Sequence, residues 1–351
     1  MLDLFRPEPL YHYEMDRFSL KSPIIYREGH RVVHLGGGPN RNHPMELNIN
    51  PFKMRNVDVV ARGEAIPFAD ASVDVIISAA VLEHVEDIQQ SVGEINRVLK
   101  PGGFVYIEIP FMQHYHTHDF YGVEFEDYRR FTKVGLTQAF EFCDPLDVGA
   151  CVGPTSTVAQ MVYSFFNDLN TSPLYRRMVK GMYHVVGNSV VWVDRYLPND
   201  VIERSHIPSG IFYFGRKRDE HSDWLRQLPQ PHSIFPKHPA AEIKLVSHRS
   251  GVATVRLTNT GDTTWLRHSP FAWGNVQLGV RRVVPDGEDI DVSRVDLAAD
   301  IAPGASCELA VPIDPADTST LKIDLVNEGL HWFSQRGSEP LLVPPRHAAA
   351  A

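Results

Sequence analysis

The sequence predicts an α/β fold, a doubly wound sheet carrying a helical insertion, followed by an all-β sandwich. Three observations predict it. Short apolar runs alternate with helix-like patterns between about residues 31 and 142, a glycine triplet closes the first run, and beyond residue 240 only short strands with turn signals remain. A chain of 351 residues exceeds one average domain, so two are expected. The reading places an α/β domain over 1–218 with a helical insertion at about 155–205, a linker over 219–240 and the sandwich over 241–345.

Composition narrows the function classes. A hydrophobic content of 43% with 22% charged residues is that of an ordinary globular protein. The net charge of -9 argues against non-specific nucleic-acid binding, which needs a Lys/Arg excess. Cys143, Cys151 and Cys307 show no CxxC spacing, which fits a reducing compartment without a disulfide framework or zinc knuckle. Charges together with Pro7 and Pro9 break up Met1–Leu20, so no signal-peptide core is visible. No uncharged apolar run approaches the roughly 20 residues of a spanning helix. Cytoplasm is the expected location.

The elements follow in order. Val32–Leu35 reads as a strand running into Gly36-Gly37-Gly38-Pro39, and Glu46–Ile49, Val57–Val60 and Val73–Ser78 read as further strands. In Glu86–Leu99, Ile88, Val92, Ile95 and Leu99 recur at helical spacing. Lys100-Pro101-Gly102-Gly103 ends that helix and Phe104–Ile109 is a fifth strand. Such alternation argues for a parallel sheet with covered faces.

From Val158 to Leu197, Met161, Tyr163, Phe165, Phe166, Tyr175, Met178, Met182 and Tyr183 give helices with large apolar faces. They read as ordinary core helices, a lid, a dimer face or a membrane-surface patch, with Tyr175-Arg176-Arg177-Met178-Val179-Lys180 mixing basic and apolar groups as interfacial helices do. Peripheral membrane contact and a homo-oligomer therefore both stay open. Ile211–Gly215 is read as the last strand of the sheet. Past the proline-rich linker, strands are expected at Glu242–Ser247, Ala253–Leu257, Val276–Arg281, Glu308–Val311, Leu321–Leu325 and Leu341–Val343.

A glycine loop leaving a strand lets backbone approach a ligand closely, or simply makes a tight turn. The dinucleotide pattern G-x-G-x-x-G fails here because Arg41 takes the third glycine's place. The later motifs decide the reading. They are Ile66-Pro67-Phe68, Ser72-Val73-Asp74, Leu82-Glu83-His84 and Leu99-Lys100-Pro101-Gly102-Gly103. In this order, over roughly residues 31–140, the chain resembles the class I S-adenosylmethionine-dependent methyltransferases, in particular the methyltransferase type 11 group. Pro110-Phe111 through Asp127-Tyr128-Arg129-Arg130-Phe131-Thr132 resembles a subgroup associated with bacterial surface polysaccharides.

That resemblance implies a Rossmann-like, seven-stranded sheet with S-adenosylmethionine at the carboxyl ends of its strands, where open α/β sheets place ligands. Gly36, Gly37 and Gly38 would face its methionine part and ribose, with His34, Asn48, Glu64, Ala80 and His84 completing the cofactor set. Three positions depart from the family pattern. His34 replaces an Asp or Asn, Asn48 stands where the ribose acid is expected, with Glu46 and Asn50 nearby, and Arg62 stands where an acid receives the adenine amino group. Arg has no acceptor, so Glu64 would have to take that role. These exchanges predict weaker cofactor binding, a different adenine contact or a lost activity.

His84 either lines the methyl-donor site or packs locally at a helix start, and Glu83 is expected to favour the helix N-terminus. His114, His116 and His118 alternate, so an extended strand would put them on one face. They read as a metal site, a source of a general base or a solvated loop. Hydroxyl methylation calls for a base, for which His116 is the first candidate and Asp127 the second. Arg129 and Arg130 are candidates for an anionic substrate group, or surface arginines without such a role. Trp265, Trp273 and Trp332 could stack on sugars or fill the sandwich core. The run Thr258–Trp265 resembles immunoglobulin-like modules found beside bacterial polysaccharide enzymes. The expected activity is methyl transfer to a hydroxyl of a bacterial glycan or glycolipid. The rivals are a non-catalytic glycan- or partner-binding scaffold on a degenerate methyltransferase fold, and a methyltransferase for a small metabolite.

Overall fold

The computed structural model describes residues 18–19, 21–39, 41–115, 118–120, 123–249, 251–285, 287–314 and 316–344, with side chains described at all of these except 118–120, 123–125 and 184–189. The chain forms two compact units, one over Ile25–Ser222 with Phe18, the other over Asp223 onward with residues 19–24.

A short helix α1 (Ser22–Ile25), assigned to the second unit up to residue 24, precedes the first unit's β1 (Val32–Leu35), β2 (Glu46–Asn50), β3 (Val59–Val60) and β4 (Val73–Ala79). A 3-10 turn at Leu82–His84, helix α2 (Ile88–Val98) and β5 (Leu99–Pro110) follow. Then come the hairpin strands β6 (His118–Phe120) and β7 (Val123–Phe125), α3 (Lys133–Ala139) and β8 (Cys143–Val152). The helices α4 (Pro154–Asp168), α5 (Pro173–Val191) and α6 (Asn199–Arg204) precede β9 (Gly210–Lys217), and α7 (Ser222–Gln227) begins the second unit's stretch of chain.

Seven strands form one sheet in the order β3-β2-β1-β4-β5-β9-β8. The first five are parallel, but β9 runs antiparallel to both β5 and β8. The sheet is therefore mixed, not all parallel as the strand–helix alternation suggests. Val33, Ile76, Val105 and Ile107 are fully buried, each such side chain contributing about 1.5–3 kcal/mol. β2 and β4 flank β1 on opposite sides, which opens a crevice at their carboxyl ends, the usual ligand position of open α/β sheets.

The family motifs brace one another behind that crevice. Arg97 donates to the carbonyls of Ile66 and Phe68 and to Glu94, while Ile66 N donates to Glu94, so α2 fixes the Ile66-Pro67-Phe68 turn. Lys100 Nζ donates to Asp74 at 2.8 Å, joining the Lys-Pro-Gly-Gly segment to β4. α2 ends at Val98, just before that segment, and the turn through it is carried inside β5 as a register shift between the Val73–Leu99 and Val75–Phe104 pairs. α2 is capped by Asp87, whose side chain accepts from Gln90 N, not by Glu83. Asp87→Ala is expected to lower stability by about 1 kcal/mol, measured by urea unfolding.

The second unit is all-β. Its strands are β10 (Ala241–Arg249), β11 (Val252–Asn259), β12 (Val276–Arg282), β13 (Ile290–Asp296), β14 (Ser306–Pro312), β15 (Leu321–Asn327), β16 (His331–Trp332) and β17 (Leu341–Val343). They form two antiparallel sheets, β10-β11-β14 and β13-β12-β15-β16, with β17 also on β15. Alternate residues of β11 point inward, and Val255 and Leu257 share one core with Leu278 and Ile323 of the other sheet. Trp265 is fully buried in that core, edge-on to Phe333 at 5.4 Å. Trp273 is stacked on Phe271, and Trp332 has Arg281 3.7 Å and Arg294 4.6 Å from its ring centroid. Within residues 219–240, the stretch read from composition as a linker, Leu225, His232, Ile234 and Phe235 are buried.

Candidate functional site

A cavity of about 520 Å³ lies at the carboxyl ends of β1, β2 and β4. Its size is within the range of small-molecule sites. Leu35, Gly36 and Gly38 line it from β1 and its loop, Asn50, Phe52 and Met54 from beyond β2, and Ala80, Val81, His84 and Val85 from beyond β4. Arg62, Gly63, Glu64, Glu126 and Tyr128 complete the wall.

The glycine loop is shaped by backbone that only glycine adopts without strain. Gly36 has φ 77° and Gly38 φ 60°. Gly36 N donates to Ile49 O at 2.7 Å, fixing the loop to the end of β2. A Cβ on Gly36 would lie 2.3 Å from Val81 Cγ2, so the ends of β1 and β4 are in direct contact there. Ala80 holds φ 53°, a strained conformation for a residue with a Cβ, at the corner that turns β4 into the cavity wall.

His34 and Asn48 are paired neighbours in β1 and β2, and neither is among the residues lining the cavity. His34 Nδ1 donates to the buried Glu46 at 3.3 Å, and Tyr26 donates its hydroxyl to the same carboxylate at 2.5 Å. Burial alone would raise the Glu46 carboxyl, but the bonds from His34 and Tyr26 hold it below its ordinary value. The Asn48 amino group donates to Gly38 O at 2.8 Å and Asn56 O at 3.0 Å. Asn48 Oδ1 would be 2.9 Å from a Cβ on Gly37, which is why the middle glycine is needed. Asn48 thus shapes the loop from behind. Arg41, in the third glycine's place, donates to Asp58 at 2.6 Å, and Asp58 accepts from Asn48 N at 2.8 Å. Those two bonds outweigh burial and hold the Asp58 carboxyl low.

Asn50 is the residue that β2 brings to the cavity. It stands one step beyond the Leu35–Ile49 pair, level with Gly36. Its Oδ1 accepts from Phe52 N at 3.0 Å. Glu64 is also on the wall, its side chain 14% exposed and 3.6 Å from Arg62. Arg62 lies at the mouth with its side chain 66% exposed.

Beside His84 on the cavity wall lies a buried acid, Glu83. Glu83 is fully buried and its carboxylate oxygens have no hydrogen-bond partner among the described residues. Burial pushes its carboxyl up to about 8, with Arg130 opposing and Asp127 adding to the rise. His84 Nδ1 is 2.8 Å from Glu126 O. A carbonyl only accepts, so Nδ1 carries the proton there and Nε2 lies 3.6 Å from Glu83 Oε1.

The remaining candidates are placed as follows. The Asp127 carboxylate is buried and held in a two-pronged pair with Arg130. Arg130 also donates to His114 O at 3.1 Å. Arg129 donates to the carbonyls of Val85 and Glu86, closing the turn that carries His84. These three residues are engaged with the protein and are not among the cavity lining. His116 lies outside the described residues, as does the side chain of His118. No group of three His, Cys, Asp or Glu arranged for a metal occurs among the described residues.

The site can be tested against S-adenosylmethionine on its own residues. The glycine loop leaves room for close approach, Asn50 and Glu64 offer polar atoms, and Phe52, Met54, Val81 and Val85 give apolar walls. These residues fit a nucleoside with a charged tail.

Part of the chain is similar to known methyltransferases. Residues 42–107 match the methyltransferase domain family. An uncharacterized methyltransferase of Mycobacterium sp. (strain JLS) is 35% identical over 92 residues, 21% of this chain and 36% of that one. Malonyl-(acyl-carrier protein) O-methyltransferase 1 of Coxiella burnetii is 47% identical over 47 residues, 13% of this chain and 17% of that one. The chain thus spans about a third of the length of the first relative and less of the second. Among solved structures, a phosphoethanolamine N-methyltransferase 2 of Haemonchus contortus is 13% identical with a TM-score of 0.37, covering 57% of this chain and 52% of that one. With the loop, the strand order and the family match together, the first unit contains a class I methyltransferase domain, a class whose methyl donor is S-adenosylmethionine.

Proposed function

We propose that this chain transfers a methyl group from S-adenosylmethionine to a hydroxyl of a bacterial surface glycan or glycolipid precursor, in the cytoplasm. The observation that carries the reading is the open cavity behind Gly36 and Gly38. His34 turns away to Glu46 and Arg62 stays at the mouth, so the two departures that would have filled the pocket leave it clear. That favours catalysis over a degenerate scaffold.

Bound S-adenosylmethionine supplies a methyl group activated on a sulfonium. Gly36, Gly37 and Gly38 would admit its polar tail, Asn50 would serve the ribose and Glu64 would accept from the adenine amino group. Ala80 and His84 sit where the β4 corner meets the cavity. The protein's own task is to align an acceptor hydroxyl, exclude water and take its proton, because an alcohol attacks poorly while it keeps that proton. His116 remains the proposed base. The pairing of Asp127 with Arg130 makes that carboxylate a weaker second choice, and His84 is the titratable ring placed on the cavity wall. Support for a glycan acceptor comes from the polysaccharide-associated segment 110–132 and from the two-sheet unit, whose immunoglobulin-like kinship is part of the same proposal.

Calorimetric titration with S-adenosylmethionine should show saturable binding at micromolar to low millimolar ligand, and no heat at millimolar ligand would overturn the reading. With binding established, tritiated methyl donor and a bacterial lipid-linked glycan fraction should give label in the glycan. Label appearing only in small metabolites would refute the acceptor class alone.

A further inference from the structure

Helix α4, between β8 and β9, is built inside out. On α4, the buried positions are Ser156, Thr157, Ala159 and Gln160. Val158, Met161, Val162, Phe165, Phe166 and Leu169 recur at intervals of three and four and are all exposed. Phe165 is 62% exposed, where a core helix would bury it. The inverted orientation is pinned. Ser156 Oγ donates to Asp194 at 2.7 Å and Thr157 Oγ1 to Ile207 O at 2.7 Å, so the polar face is bonded inward and the apolar stripe is held out.

α5 adds to the same kind of surface. Val179 and Tyr183 are buried, Tyr183 edge-on to Tyr163 at 4.9 Å, while Leu174 and Met178 are 70% and 67% exposed. Trp192 and Tyr196, just after the helix, are exposed as well. Between Leu169 and Val193 the chain carries Arg176, Arg177 and Lys180 and no carboxylate, although its net charge is -9; of the acids at the two ends, Asp168 is exposed on the last turn of α4 and Asp194 is buried against Ser156. Arg176 and Arg177 are exposed.

We propose that α4, α5 and the Trp192–Tyr196 turn form a docking surface for an anionic lipid bilayer. Large apolar side chains, interfacial Trp and Tyr, and an excess of exposed cations, here Arg176 and Arg177 against Asp168, are the combination that lies in a negatively charged headgroup layer. Among the described residues no helix is long and apolar enough to cross a membrane, so the helices lie along the surface. A second copy of the chain is the less suitable occupant, since the same face on a partner would bring its own exposed Arg176 and Arg177 into the contact and only Asp168 to oppose them. The proposal does not depend on the acceptor assigned above, because binding to vesicles requires no methyl transfer.

The test is flotation of the full chain with vesicles of phosphatidylcholine, with and without phosphatidylglycerol, alongside sedimentation velocity without lipid. The protein should float with the anionic vesicles and be released by high salt. Arg176→Gln with Arg177→Gln, and separately Phe165→Ser with Met178→Ser, should each lower the bound fraction constant about tenfold or more. These side chains are exposed, so folding should be kept, checked by circular dichroism. Absence of flotation with anionic vesicles overturns the proposal, and so does unchanged flotation of the Phe165→Ser, Met178→Ser variant. Self-association that the same variant abolishes, without vesicle binding, would assign the face to a second copy and also overturn it.

Discussion

Gly36→Ala is expected to lower S-adenosylmethionine affinity at least about a hundredfold, equivalent to about 2.7 kcal/mol. Two costs combine. An alanine at φ 77° is strained, by roughly 1–2 kcal/mol. Its Cβ would also fall 2.3 Å from Val81 Cγ2, so the loop must leave Val81 or push the end of β4 outward. Either shift moves Ala80 and Val81, which line the cavity. Gly38→Ala is the internal control for stability, because a Cβ there meets nothing within 4 Å and only backbone strain remains. Urea unfolding should therefore show the larger loss for Gly36→Ala. Wild-type affinity in the Gly36→Ala protein would remove the loop from the binding site.

Glu83→Gln is expected to flatten the dependence of stability on pH between about 4.5 and 8. The Glu83 carboxyl is raised from 4.5 to about 8 by burial, so in this window the folded protein keeps a proton that the unfolded chain has released. Folding then takes up a proton. The stability is fully present below pH 4.5 and is lost progressively as pH rises toward the folded value near 8. Across the whole window the loss amounts to about 5 kcal/mol. A neutral amide of the same shape removes that slope. Thermal or urea midpoints of both proteins at pH 5, 6, 7 and 8 decide it, and parallel profiles would show that Glu83 is ionised in the fold. The same proton bears on the site, since a neutral Glu83 next to His84 Nε2 leaves the ring without an adjacent negative charge.

The elements most legible in the sequence are those whose pattern follows from one neighbouring layer. α2 shows its buried face in Ile88, Val92, Ile95 and Leu99, and the structure places it over Ile88–Val98. β1 was readable because an apolar run stops at glycines. β8 was not, because Cys143-Asp144-Pro145-Leu146-Asp147 carries a proline and two acids that an edge strand tolerates and a central one does not. β13 escaped for the same reason, as an exposed edge with Asp291, Ser293 and Arg294.

Gly36, Gly38, Glu64, Ala80 and His84, named from the sequence, line the cavity, whereas Gly37 does not. The choice of Asn48 over Asn50 could not be settled. The two lie on the same face of β2, since side chains alternate. Only their height differs, and height depends on where β1 ends beside them. Arg129 and Arg130 were ambiguous because a long cation reads the same in sequence whether it meets a ligand or a carbonyl. Here their partners at Val85, Glu86 and His114 are 16 to 44 residues away.

The antiparallel return of β9 beside β8 has an evolutionary consequence. Val152 and Gly210 are register partners, and Ser209 N donates to Val152 O at 3.0 Å. The chain therefore leaves the sheet and re-enters it at one point, so everything from Gly153 to Pro208 is an excursion with its ends already joined. Loop-closure entropy grows only slowly with length, so such a segment is free to be lengthened, shortened or exchanged while the strands stay in place. The seven-stranded sheet and the exposed apolar helices are thus separable pieces, one held by strand pairing and the other carried between two joined ends.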